Sequence, residues 1–228
     1  MAKPFSKTVI HNTDAKLSKQ VRQPLKTNQG IHKALTWRVV DIAVGAAVGV
    51  MSGVMFWVFD GLSYGLFPLM TLILPGSAAL LHALFYFPAT LGSLIVRKPG
   101  ASAYVLLVAS FVEVVLGTKY SVSLVVIALL QAAAAEAVFA LFRYRRWTLG
   151  VTILSALAIG IYNFYLLFFY YQAFTFFSPR GIIGTICELL SAVAFAGFGS
   201  WGMYCALRKS GVLSRFASSH KEHNEENA

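Results

Sequence analysis

Between residues 38 and 207 the chain is a succession of apolar runs, most of them about as long as a bilayer core is thick. They occupy about 38–59, 61–96, 101–117, 121–142, 147–177 and 181–207. In hydrocarbon the backbone must satisfy its own N–H and C=O groups, and about 20 apolar residues in one helix do so while crossing the core. Composition agrees, with 57% hydrophobic and only 12% charged residues, where a soluble domain carries about 25% charged. The pattern predicts an all-α integral membrane protein, a single domain of five to seven spans.

Charge placement narrows that count. Lys and Arg number 19 against 9 acids, for a net charge of +10. Eight cations fall in the first 38 residues, and most others fall in short loops or the C-terminal tail. That distribution reads as positive-inside bias and attraction to anionic lipid heads, with no nucleic-acid partner. The run 61–96 can hold one span or two. With one span and a cytoplasmic N-terminus, only Lys119 and Arg180 among the 19 cations lie outside. With two spans the tails face opposite sides. The bias selects six transmembrane helices, with the N- and C-termini cytoplasmic. Residues 61–74 (Gly61, Tyr64, Gly65, Pro68) then become an outer loop or re-entrant stretch, and Pro75-Gly76 starts the second span. Residues 1–36 read as a basic cytoplasmic tail, 37–209 as the six-helix membrane domain and 210–228 as a cytoplasmic C-terminal tail. No removable signal peptide is read at the start. Cys187 and Cys205 lie on one segment roughly 27 Å apart, too far for a bridge. No metal-ligand spacing is present.

Five of the nine acids sit in or beside the apolar runs: Asp41, Asp60, Glu113, Glu136 and Glu188. A charge at the centre of a helix in lipid costs about 2.5–3.5 kcal/mol even on lenient scales, so each needs a partner or a purpose. Asp41 is three residues beyond Arg38, in the first turn of span one, where an acid complements the helix dipole. Glu136 lies near the cytoplasmic side with Arg143 seven residues on, which points to an ion pair or a tie to another span. Asp60, Glu113 and Glu188 share the outer half. Trp57, Tyr64, Tyr162 and Trp201 accompany them, and Asn163 lies near mid-membrane. Acids beside aromatic faces suit an organic cation or protonated heterocycle; interhelical hydrogen bonding is the alternative. Gln131 can face a cavity that Glu136 does not. His82 has no acid or histidine at helical spacing and reads as packed or hydrogen-bonded.

Span one carries two small faces, Ala43 with Ala47 and an adjacent one of Gly45, Gly49 and Gly53. Small residues let helices approach where lipid is as apolar as leucine. Spacing alone allows internal packing or a docking face for another membrane protein, and favours packing. No nucleotide-binding loop, nucleophile elbow, zinc-protease motif or pair of broken-helix repeats occurs.

Trp37-Arg-Val-Val-Asp41, Ser52-Gly-Val-Met-Phe-Trp57, Arg97-Lys-Pro-Gly-Ala101 and Gln131 to Glu136 followed by Val-Phe-Ala-Leu-Phe-Arg-Tyr144 resemble one family. It is the substrate-binding S component of energy-coupling factor (ECF) vitamin transporters, of the hydroxymethylpyrimidine/thiamine type called YkoE. The resemblance covers about residues 37–207. It implies a bacterial cytoplasmic-membrane protein that is not itself an enzyme. Its vitamin pocket would open outward and take thiamine or its hydroxymethylpyrimidine precursor. It also implies a transmembrane T component and two cytosolic ATPase subunits as partners, so that ATP is used there and no cofactor is held in this chain. An Ala-x-x-x-Ala pattern docks S components on the T component, and Ala43 and Ala47 match it. The expected ligand contacts are Glu113 and Glu188 for charge or amine groups, with Trp57, Tyr64, Asn163 and Trp201 lining. A stand-alone permease or a lipid-acting membrane enzyme is the competing reading; uptake only when T and ATPase subunits are present separates them.

Overall fold

The structure, a computed structural model, describes residues 36–118, 123–166 and 178–211. Among these residues every regular element is helical and belongs to the unit Trp37–Ala228. Lys119 lies outside the described residues, as do the expected tails but for Thr36, Ser210 and Gly211. In chain order the elements are α1 (Val39–Ile73), a 3₁₀ segment (Ser77–Phe85), α2 (Phe87–Val96), α3 (Ala101–Leu116), α4 (Ser123–Leu141) and α5 (Leu149–Tyr165). There follow α6 (Pro179–Ser191), a π-helical segment (Ala192–Gly199) and α7 (Ser200–Lys209). Four stretches are long and apolar enough to cross a bilayer: Val39–Ile73, Ser77–Val96, Ser123–Leu141 and Pro179–Lys209. The apolar α3 and α5 are shorter, at 16 and 17 residues.

The loop or re-entrant stretch expected over 61–74 is replaced by helix. α1 runs unbroken for 35 residues, roughly 52 Å at about 1.5 Å per residue. Gly61, Gly65 and Pro68 all lie within it. They act as breakers in water, but an apolar helix tolerates them because neighbouring groups take up a freed carbonyl. The chain turns only at Leu74–Gly76. There the Leu74 N–H donates to the Met70 carbonyl at 2.9 Å, and Gly76 has φ +96°. A Cβ on Gly76 would fall 2.6 Å from the Arg180 carbonyl oxygen, so only glycine lets this turn approach the start of α6.

The small faces of α1 have opposite fates. Gly45, Gly49 and Gly53 are buried against α3, where a Cβ would meet the Tyr104 ring at 2.8 Å, Val108 at 2.7 Å and the Ala109 carbonyl oxygen at 2.5 Å. Ala43 and Ala47 are exposed. Two residues along a helix turn it by about 200°, so the alanines look away from the glycine seam rather than lying beside it.

At the end of the bundle holding the 97–100 turn, polar groups are used for structure. Glu136 Oε1 accepts from the backbone N–H of Ser102, in the first turn of α3, at 2.9 Å. Its Oε2 accepts from Tyr144 Oη at 2.8 Å. A carboxylate there satisfies an orphan N–H and complements the dipole. Glu136 is thus a tie between spans, and its partner is a helix N-terminus rather than Arg143. Asp41 Oδ2 accepts from the backbone N–H of Arg38 at 3.0 Å, a cap rather than a guanidinium pair. Trp37 Nε1 donates to the Pro99 carbonyl at 3.0 Å, and the Arg97 guanidinium donates to Tyr204 Oη at 2.8 Å.

The 3₁₀ and π segments depart from α-helix for longer than the usual single turn, and hydroxyls brace them. Ser191 Oγ donates to the Leu80 carbonyl at 2.6 Å, and Thr90 Oγ1 to the Ala196 carbonyl at 2.8 Å. Carbonyls outside the α pattern are satisfied from a neighbouring element, as buried carbonyls must be.

Candidate ligand-binding cavity

Beyond the glycine seam, residues of α1 and α3 line a cavity of about 430 Å³. Six elements contribute polar side chains to its wall, among them Asp60 from α1, His82 from the 3₁₀ segment, Glu113 from α3, Gln131 from α4, Asn163 from α5 and Glu188 from α6. Phe56, Phe67, Phe85 and Phe164 supply apolar faces. Phe56 and Phe85 lie 5.8 Å apart between ring centroids, and Phe67 meets the His82 ring edge-on at 5.8 Å. Arg180 also lines the cavity and is itself exposed. The volume falls in the range of about 300–1,000 Å³ usual for small-molecule sites.

The carboxylates divide into two kinds. Glu188, only 1% exposed, is fully engaged: Oε2 lies 2.6 Å from His82 Nδ1, while Oε1 accepts from Tyr86 Oη at 3.0 Å and from Asn163 Nδ2 at 3.4 Å. Gln131 Nε2 donates to Asn163 Oδ1 at 2.8 Å. A chain of polar contacts therefore runs from α4 through α5 and α6 to the 3₁₀ segment. Glu113 is equally buried, yet its Oε1 has no hydrogen-bond partner among the described residues. Asp60 is its electrostatic neighbour, and Asp60 Oδ2 accepts from Thr118 Oγ1 at 3.3 Å. A buried carboxylate without a hydrogen bond, beside another acid, is costly unless something else approaches it.

Of the residues expected at a site, Glu113, Glu188 and Asn163 come together here. Trp57, Tyr64 and Trp201 lie off the cavity. Trp57 and Tyr64 are exposed on α1. Trp201 packs in the cluster of Leu91, Leu94 and Tyr204, its ring 5.6 Å from that of Tyr204. His82, expected to be packed or hydrogen-bonded, is hydrogen-bonded, to Glu188; Tyr86 and the phenylalanines are not singled out by the sequence. The partner of His82 is 106 residues away on another helix, beyond the reach of a search at helical spacing. Tyr86, one turn after His82, was the available signal.

The chain matches, over residues 40–162, the family described as the permease component of ABC-type cobalt transport systems. It is 24% identical over 184 residues to a protein of Bacillus subtilis (strain 168) assigned as the HMP/thiamine permease protein YkoE, covering 80% of this chain and 90% of that one. Among solved structures it superposes on the crystal structure of an S-component of an ECF transporter. The TM-score is 0.74 at 22% identity, over 84% of this chain and 96% of the other. The fold is that of an S component, and the likeness to YkoE read from the motifs extends over most of the chain.

Proposed function

Since the chain belongs to the family described as the permease component of ABC-type cobalt transport systems, we propose that it is the substrate-binding S component of an ECF transporter, capturing thiamine or its hydroxymethylpyrimidine precursor. The observation that carries this reading is the carboxylate of Glu113, whose Oε1 has no hydrogen-bond partner among the described residues, in a cavity whose wall also carries four phenylalanines. Thiamine is a fixed cation joined to an aminopyrimidine. A carboxylate answers its charge or its amino group, and aromatic faces answer its rings. The name of the Bacillus subtilis relative supports the same ligand. Among the described residues no three His, Cys, Asp or Glu side chains come together as a metal site would need. The reading therefore rests on the organic character of the wall.

Glu113 offers the pocket a carboxylate oxygen, and Glu188, to which Asn163 of α5 donates, belongs to a second polar group on the wall. Six helices cross the bacterial cytoplasmic membrane with both termini inside. Ala43 and Ala47 dock a transmembrane T component, and two ATPase subunits on that partner supply the energy. The exposed, small and apolar alanine face of α1 suits such a helix-to-helix contact.

Co-expression tests the function. Labelled thiamine or hydroxymethylpyrimidine should enter cells only when T and ATPase subunits accompany the chain; uptake by the chain alone would favour the stand-alone permease. Replacing Ala43 and Ala47 by Leu should leave ligand binding intact and abolish co-purification with the T component. A surviving complex would remove the docking assignment. For topology, Arg145→Cys should be shielded from an impermeant thiol reagent in intact cells, and Arg180→Cys should react. Both sites are exposed on the protein, so the membrane alone decides the outcome.

A further inference from the structure

We propose, resting on the ligand pocket just described, that His82 rather than Glu188 touches the ligand, and that Glu188 is a positioning residue. Both oxygens of Glu188 are already engaged, by His82 on one side and by Tyr86 and Asn163 on the other. A carboxylate so occupied has little left to offer a guest. The imidazole is the reverse. Its Nδ1 is committed to Glu188, which fixes the ring plane, and the edge-on contact with Phe67 holds the other side. Nε2 has no hydrogen-bond partner among the described residues, and His82 lines the cavity. This is the arrangement by which a second polar group orients a working histidine: the bond at one ring nitrogen sets how the other is presented.

The chain Gln131–Asn163–Glu188–His82 then has a purpose that packing alone does not give it. It carries the rigidity of three helices to one nitrogen in the 3₁₀ segment, the least regular wall of the cavity. With Glu113 as the other unspent group, the pocket offers a ligand two polar atoms between phenylalanine faces. The class that fits is a flat nitrogen heterocycle bearing an N–H donor: the amino group donates to Glu113, and a second N–H or O–H of the ligand donates to His82 Nε2.

The test uses the full-length protein in detergent with histidine labelled by nitrogen-15, and hydroxymethylpyrimidine as the probe. Loss of one signal pair in His82→Asn assigns His82. On saturation the Nε2 resonance of His82 should move while Nδ1 stays with Glu188. In calorimetry His82→Asn, which keeps a donor near Glu188 and loses the Nε2 group, should bind about 10- to 150-fold more weakly. If hydroxymethylpyrimidine binds the wild type but the Nε2 resonance stays still, or if His82→Asn binds as tightly as wild type, the inference is overturned and the proposed function stands. If neither hydroxymethylpyrimidine nor thiamine binds the wild type, the proposed ligand class falls, and this inference falls with it.

Discussion

The same two helices, α1 and α3, behave oppositely along their length. From Gly45 to Gly53 they are zipped so closely that a single added methyl would strike Tyr104, Val108 or the Ala109 carbonyl. From Phe56 to Ser63 on α1 and from Ser110 to Glu113 on α3 they instead line a cavity. A glutamate marks each regime. Glu136 attends the start of α3, at the zipped end, with both oxygens satisfied. Glu113, near the other end of α3, has an oxygen, Oε1, with no hydrogen-bond partner among the described residues. The two buried glutamates thus differ in how fully their oxygens are engaged among the described residues.

Five substitutions probe that contrast. The largest loss of stability is expected at the seam. Gly53→Leu must push a branched side chain into the α3 backbone, costing about 1–3 kcal/mol or more. Gly61→Leu, eight residues on, meets nothing within 4 Å and should leave thermal unfolding in detergent nearly unchanged. Equal losses at both positions would erase the distinction between the two stretches. Next comes Glu136→Ala, which orphans the buried Ser102 N–H and frees Tyr144. Unfolding stability should fall by about 1–3 kcal/mol, while thiamine affinity by calorimetry stays within a few-fold. A collapse of affinity in a well-folded Glu136→Ala protein would mean that the two ends are not separable. The smallest effect is expected at Trp57→Phe and Tyr64→Phe, which alter exposed rings off the cavity. Both should bind ligand like the wild type, and a tenfold loss in either would require a pocket different from this one.

Much of this was legible from the residues, and the remainder fails for identifiable reasons. Lipid makes acids expensive, so the sequence alone picks out Asp60, Glu113 and Glu188 as meaningful and separates Glu136 from them. Two small faces on α1 can be read from spacing. Which one turns inward depends on Tyr104 and Val108 of α3, and spacing on one helix says nothing of its neighbour. The stretch 61–74 was misread because glycine and proline break helices in water far more readily than in an apolar setting. The sequence directs attention to rings with polar handles, but Trp57 and Tyr64 are exposed off the cavity, as amphipathic rings at a membrane interface are, and the aromatic rings that line it are phenylalanines. The His82–Glu188 pair joins residues 106 apart, a contact that only the folded bundle creates.

The contrast between the two glutamates comes down to one calorimetric comparison. Glu113→Gln keeps the shape of the side chain and removes its charge. Because that carboxylate makes no recorded hydrogen bond through Oε1, stability should hold or rise. Affinity for thiamine and for hydroxymethylpyrimidine should fall about 10- to 150-fold, the worth of a charge-assisted hydrogen bond of about 1.5–3 kcal/mol. A folded Glu113→Gln protein that binds both compounds as tightly as the wild type would contradict the assignment of this cavity as the ligand site.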